Sequence, residues 1–285
     1  MVSKQIHPKW SLPCGQLLRR SLRTDPLSEY LVYLPTTGAA DTSVLVSVHG
    51  ISRNSWIKQA EVLVPTCERH RVTLLAPSFS DQQYADYQRL GRTGRGQRAD
   101  LFLHRCLAEL NMMTGVDTTH IRLFGHSGGT QFVHRYLMAH PHRVDSAVVS
   151  AAGWYTFPDP TQKFPYGIRS ASSLPGLSFN PESYLKVPVM VLVGTEDTEQ
   201  SEDLFSSERI NKQQGVTRIE RARNWVAAMQ VQARTYRMQS LVSLVELAGI
   251  SHSLADLSRE IPHIEGMIHY SRFLNSHDAS INTLN

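Results

Sequence analysis

His120-Ile121-Arg122-Leu123-Phe124-Gly125-His126-Ser127-Gly128-Gly129-Thr130 is the stretch around which the rest of the sequence arranges itself. A short apolar burst gives way to a Gly-x-Ser-x-Gly pentapeptide at 125–129. A helical pattern then runs from Thr130 to His140, which puts Ser127 at a strand-to-helix junction. A serine that must project its hydroxyl from a tight turn needs small neighbours on both flanks, because larger ones would strike the adjacent backbone. The alternative is a glycine-rich turn that only lets a strand meet a helix.

Apolar bursts recur on both sides of this junction: 44–50 (VLVSVHG), 71–79 (RVTLLAPSF), 145–153 (DSAVVSAAG), 187–194 (VPVMVLVG) and 243–251 (SLVELAGIS). Each is continuously apolar and rich in Val, Ile and Leu, as expected of strands covered on both faces. Helical periodicity lies between them. Ala99–Met113 carries Leu101, Leu103, Leu107 and Leu110 near one face, and 219–238 also reads as helical. Residues 16–35 read as an antiparallel pair with a turn at Asp25-Pro26. The alternation predicts one α/β domain over all 285 residues, with a mostly parallel sheet of about eight strands and helices on both faces. Residues 154–186, with five prolines and neither periodicity, form a lid-like insertion within it.

A serine hydroxyl attacks only when a base takes its proton, and that base is expected after the last strands. Among thirteen histidines, His252 has the right place, directly after the final apolar burst in Gly249-Ile250-Ser251-His252-Ser253. A carboxylate must then fix the imidazole tautomer. Asp197, in the turn after 187–194, is preferred to Glu196 and Asp203. Oxyanion donors are expected at the Gly128 N–H, where the helix dipole begins, and at the Ile51 N–H, where His49-Gly50 leaves the strand. Trp154 and Tyr155, with Phe157, Phe164 and Tyr166, are candidates for an apolar substrate pocket or for packing of the insertion. Arg53 and Trp56 are candidates for contacting a carboxylate or ring.

Taken together, HG after one strand, GHSGG at the elbow, GTED after a later strand and GISH near the end resemble the α/β-hydrolase superfamily. The runs VHGISRNSW, GHSGGTQFVHRYLMAHPHRV and AAGWYTFPDP look like its esterase branch of polyhydroxyalkanoate-depolymerase-like and feruloyl-esterase-like proteins. The resemblance implies Ser127 as nucleophile, His252 as base and then acid, Asp197 as orienting acid, and Ile51 with Gly128 as the oxyanion hole. It implies no metal, nucleotide or flavin, and a small-molecule ester as substrate. The HGI here departs from the HGGG loop of many lipases. The same triad serves peptides, thioesters or acyl transfer, and a catalytically silent binding protein would share the fold.

Composition narrows the classes further. Lys plus Arg number 29 against 25 Asp plus Glu, a net charge of +4, too mild for a nucleic-acid footprint. The densest basic run, Arg92 to Arg98, has no interleaved aromatics and reads as a solvated loop. Three cysteines indicate reduced thiols rather than a disulfide framework. No signal-like or membrane-spanning apolar stretch is seen, so a cytoplasmic protein is expected.

Overall fold

The computed structural model of the chain describes residues 12–39, 44–199, 204–253 and 256–281, with side chains described through residue 269. In chain order the elements are β1 (Leu17–Leu22), β2 (Asp25–Tyr33), β3 (Val44–Val48), α1 (Trp56–His70), β4 (Thr73–Pro77), α2 (Asp81–Tyr84) and α3 (Ala99–Thr114). There follow β5 (Ile121–His126), α4 (Gly128–Ala139), β6 (Val144–Ser150), α5 (Pro181–Tyr184), β7 (Val189–Gly194), α6 (Glu208–Gln214), α7 (Arg218–Thr235), β8 (Val242–Leu247) and α8 (Leu257–Ile281). All eight strands form one sheet in the order β1-β2-β4-β3-β5-β6-β7-β8. The first two strands run antiparallel to their neighbours, and β3 to β8 are mutually parallel.

Period-two alternation divides each central strand between two cores. Val44, Val46, Val48, Leu75, Leu123, Val149, Val191 and Val193 face a core completed by α3, α4 and α7. Leu45, Leu74, Ala76, Phe124, Val148 and Leu192 face the opposite core, closed by α1 and α8. Covering on both sides explains why these strands read as unbroken apolar runs.

Four sequence expectations need correction. The first hairpin turns at Arg23-Thr24, because Leu22 pairs with Asp25, and Pro26 sits inside β2. Proline's fixed φ suits the start of a strand, so Pro26 extends β2 rather than breaking it. Leu101 is exposed while Leu103, Leu107 and Leu110 are buried; two residues before Leu103 is nearly the opposite side of a helix. The last strand, β8, is an edge and only half-covered, with Glu246 in an ion pair to Arg223. Helix α4 begins at Gly128, ahead of Thr130, since the turn at Ser127 feeds it directly. The 154–186 segment is irregular apart from α5, and its Trp154, Tyr155, Phe157, Phe164 and Ile168 are buried.

Cys14 is exposed and Cys67 and Cys106 are buried, all as free thiols. No helix among the described residues is long and apolar enough to cross a membrane.

Candidate active site

Ser127 takes φ +52° and ψ −116°, a conformation that L-residues rarely adopt and that turns the chain from β5 into α4 within one residue. The turn is possible because its flanks carry no side chain. A Cβ on Gly125 would lie 2.6 Å from the Gly129 carbonyl carbon, and one on Gly129 would lie 2.0 Å from the Val48 oxygen. The strain is held by bonds on the β6 side: Ser127 N–H donates to Ser150 O (2.8 Å), and the Thr130 hydroxyl lies 2.6 Å from both Gly125 O and Ser150 O.

Opposite this turn, the loops leaving β7 and β8 are laced together. Thr195 N–H donates to Leu247 O (2.9 Å) and Glu196 N–H to Ile250 O (3.0 Å), while Gly194 packs so tightly on Ile250 that a Cβ there would lie 2.0 Å from its oxygen. The lacing brings Asp197 and His252 face to face. His252 Nδ1 is 3.0 Å from Asp197 Oδ2, and His252 Nε2 is 3.0 Å from Ser127 Oγ. With Nδ1–H donated to the carboxylate, Nε2 is the lone pair facing the serine hydroxyl. Asp197 is buried, whereas its rival Glu196 is exposed, and Asp203 lies outside the described residues.

The second oxygen of Asp197 accepts from Arg218 Nη1 (3.1 Å), a buried partner that sequence reasoning missed. Its position was legible only indirectly. Thr217 and Glu220 form a capping box, which fixes Arg218 as the first residue of α7.

The backbone of Ile51 packs directly on Gly128. A Cβ on Gly128 would lie 2.8 Å from Ile51 N, 2.6 Å from Gln88 Nε2 and 2.8 Å from the Tyr87 hydroxyl, so only glycine fits between helix α4 and the loop after β3. Arg53, with φ +58°, belongs to that loop's scaffold. It donates to Phe79 O (2.5 Å) and Ile51 O (3.0 Å), pairs with Asp81 (2.7 Å) and stacks over Tyr87. Trp154 and Tyr155 are both buried. Arg135 stacks on the Trp154 ring at 4.2 Å, Phe205 lies against the same ring, and Tyr155 stacks on Trp225. Trp56 is buried as well, its indole N–H donating to Ala76 O (3.0 Å).

His49 ties the loop to the end of β4. Phe79 N–H donates to its Nε2 (3.0 Å) and its Nδ1 lies 2.8 Å from Gly50 O, a pattern that requires a neutral ring protonated at Nδ1. Burial pushes this imidazole down to about 4, with Arg53 adding to the effect and the Gly50 carbonyl opposing it. Between pH 6.5 and 4 the unfolded chain therefore binds a proton that the folded one refuses. The contribution of His49 is complete above about pH 6.5 and is lost as pH falls towards 4, amounting to about 3 kcal/mol. His49→Gln, which keeps an acceptor for Phe79 N–H, is expected to unfold in denaturant with a shallower loss of stability from pH 7 to 4. Identical slopes for variant and parent would refute this account.

No protein-family model matches the chain, and no curated protein does either. Solved structures do. The chain is 27% identical to LpqC, a poly(3-hydroxybutyrate) depolymerase of Bordetella parapertussis, over 81% of each chain with a TM-score of 0.69. The chain has the α/β-hydrolase fold. Poly(aspartic acid) hydrolase-1 of Sphingomonas sp. KT-1 shares the architecture at 23% identity and TM-score 0.71, over 92% of this chain and 98% of that one. So does an esterase of Pyrobaculum calidifontis, at 14% identity and TM-score 0.57, over 90% and 85%. Within this α/β-hydrolase fold Ser127, His252 and Asp197 stand at the carboxyl ends of β5, β8 and β7, the edge at which open α/β sheets bind their ligands.

Proposed function

We propose that the protein is a serine hydrolase that cleaves a carboxylic ester through a Ser127-His252-Asp197 triad and an acyl-enzyme intermediate. The observation that carries this reading is the unbroken hydrogen-bonded chain from Ser127 Oγ through His252 to Asp197, both links 3.0 Å. His252 Nε2 accepts the serine proton as Oγ attacks the acyl carbon, and the imidazolium so formed is stabilised by Asp197. The carbonyl oxygen becomes an oxyanion between the N–H groups of Ile51 and Gly128, the latter at the positive end of α4. His252 then protonates the departing alcohol, and the same residues in the same roles let water release the acid.

Similarity to a poly(3-hydroxybutyrate) depolymerase supports an ester over other acyl groups. We assign the apolar side of the acyl pocket to the 154–186 segment acting as a cover, with Trp154 packed against the exposed ring of Phe205. Arg53 acts on substrate through the loop it braces, by fixing the Ile51 peptide.

A fluorophosphonate probe is expected to label the protein stoichiometrically at Ser127, identified by peptide mass spectrometry. Unlabelled Ser127 in folded protein would leave a silent binding fold as the better account. Matched aryl ester, thioester and anilide substrates then separate ester hydrolysis from its relatives, with the ester expected to turn over fastest.

A further inference from the structure

Beneath the imidazole of His252 lies a second acid-histidine pair that the reaction as described does not use. His126, the residue before the nucleophile, stacks its ring nearly parallel to that of His252, with centroids 5.4 Å apart and planes at 22°. On its far side, His126 Nδ1 is 3.3 Å from Glu260 Oε1, and the Ser150 hydroxyl donates to the same oxygen at 2.8 Å. Glu260 is 2% exposed and His126 6% exposed. The other carboxyl oxygen, Oε2, is buried with no hydrogen-bond partner among the described residues.

A buried carboxyl group with one oxygen unpaired is costly, and apolar packing would fill the space beneath β5 and β6 at less cost. With His126 in its Nδ1–H tautomer two donors converge on Oε1, and Glu260 stands in the first turn of α8, where the helix dipole favours negative charge. Three separate elements therefore meet at one point below the base: β5 through His126, the end of β6 through Ser150, and α8 through Glu260.

We propose that Glu260, acting through the stacked ring of His126, is a positioning residue that orients His252 and favours its protonated form during acyl transfer. The inference rests on the triad reading. Asp197 addresses His252 in the plane of its ring, and Glu260 with His126 addresses it from one face. Among the described residues the charged and titratable groups that face His252 or the loop carrying it include Asp197 and Glu196 on the β7 loop, Arg218 behind Asp197 on α7, His126 on β5, and Arg259 and Glu260 on α8. The pair sets a carboxylate behind the imidazole that stacks on His252, a screened charge expected to shift its neighbour's titration by about half a unit to one unit.

The test compares parent enzyme, Glu260→Gln, His126→Phe and the double variant. NMR follows the His252 ring titration, and kcat and KM for an aryl ester are measured from pH 5 to 8. In Glu260→Gln the His252 midpoint and the acid limb of kcat are expected to move to lower pH by about half a unit to one unit. The plateau kcat should fall about three- to tenfold with KM unchanged. His126→Phe keeps a stacked ring but removes the imidazole that screens Glu260, so its His252 midpoint should not fall below the parent value, and the double variant should show the downward shift of Glu260→Gln. An unmoved His252 midpoint in folded Glu260→Gln overturns the proposal, as does a loss confined to thermal stability or to KM. Because the NMR midpoint does not depend on turnover, it separates failure of this inference from failure of the triad reading, which full activity of Ser127→Ala would expose.

Discussion

Ser127→Ala is expected to lose on the order of 10³-fold or more of kcat while keeping its fold and its thermal midpoint. The side chain makes one contact of consequence, the 3.0 Å bond to His252, and the strained backbone at φ +52° is held by bonds of the main chain and of Thr130 that alanine leaves in place. What remains in the variant is the pair of oxyanion amides and the shape of the site, so residual rate above water is expected rather than zero. Circular dichroism establishes the fold and initial rates on an aryl ester establish the loss. Undiminished turnover by well-folded Ser127→Ala would end the assignment of the nucleophile.

Gly129→Ala is expected to do the opposite, removing the fold itself. Its Cβ would sit 2.0 Å from Val48 O, 2.7 Å from Val48 C and 2.8 Å from His49 O, all backbone atoms of β3 and the loop that carries Ile51. No rotamer relieves such a clash, because a methyl group has none to offer and the obstructing atoms are backbone of the central strand and of the residue that follows it. The cost should exceed about 4 kcal/mol, a large part of the about 5–15 kcal/mol by which such domains are stable. Gly266, inside α8 with nothing within 4 Å of where a methyl group would stand, is the control. There alanine should be neutral or stabilising by up to about 1 kcal/mol, since it lowers the entropy of the unfolded chain. Soluble, cooperative unfolding of Gly129→Ala at a parent-like midpoint would show that the elbow can relax.

These two positions also show what the sequence discloses and what it withholds. Gly125, Ser127 and Gly129 fall within one pentapeptide, so the constraint they satisfy is local and is written in five letters. His252 and Asp197 are remote, yet each follows an apolar burst, and parallel strand order alone carries both to the same edge. Strand boundaries are legible for the same reason, since burial on both faces leaves an unbroken apolar signature; β8, an edge with one face half-open, lacks that second cover despite its apolar letters. Arg218, Gln88 and Glu260 carry no such mark. Each is a polar residue in a helix or turn, and what distinguishes it is which backbone or side chain it meets across the molecule, a property of the packed cores and not of any window of residues. Trp154 and Tyr155 read equally well from the sequence as pocket lining or as packing, and only the folded chain discloses the partners they stack on, Arg135 and Trp225.

Chain order gives the proposed triad a temporal side. Ser127 and His252 are separated by 125 positions, and Glu260 follows later still. A ribosome therefore releases the hydroxyl long before it has made the imidazole proposed to activate it. On the proposed reading a partly synthesised chain carries a hydroxyl with no base to activate it, and hydrolytic competence requires the last strand and the loop that follows it.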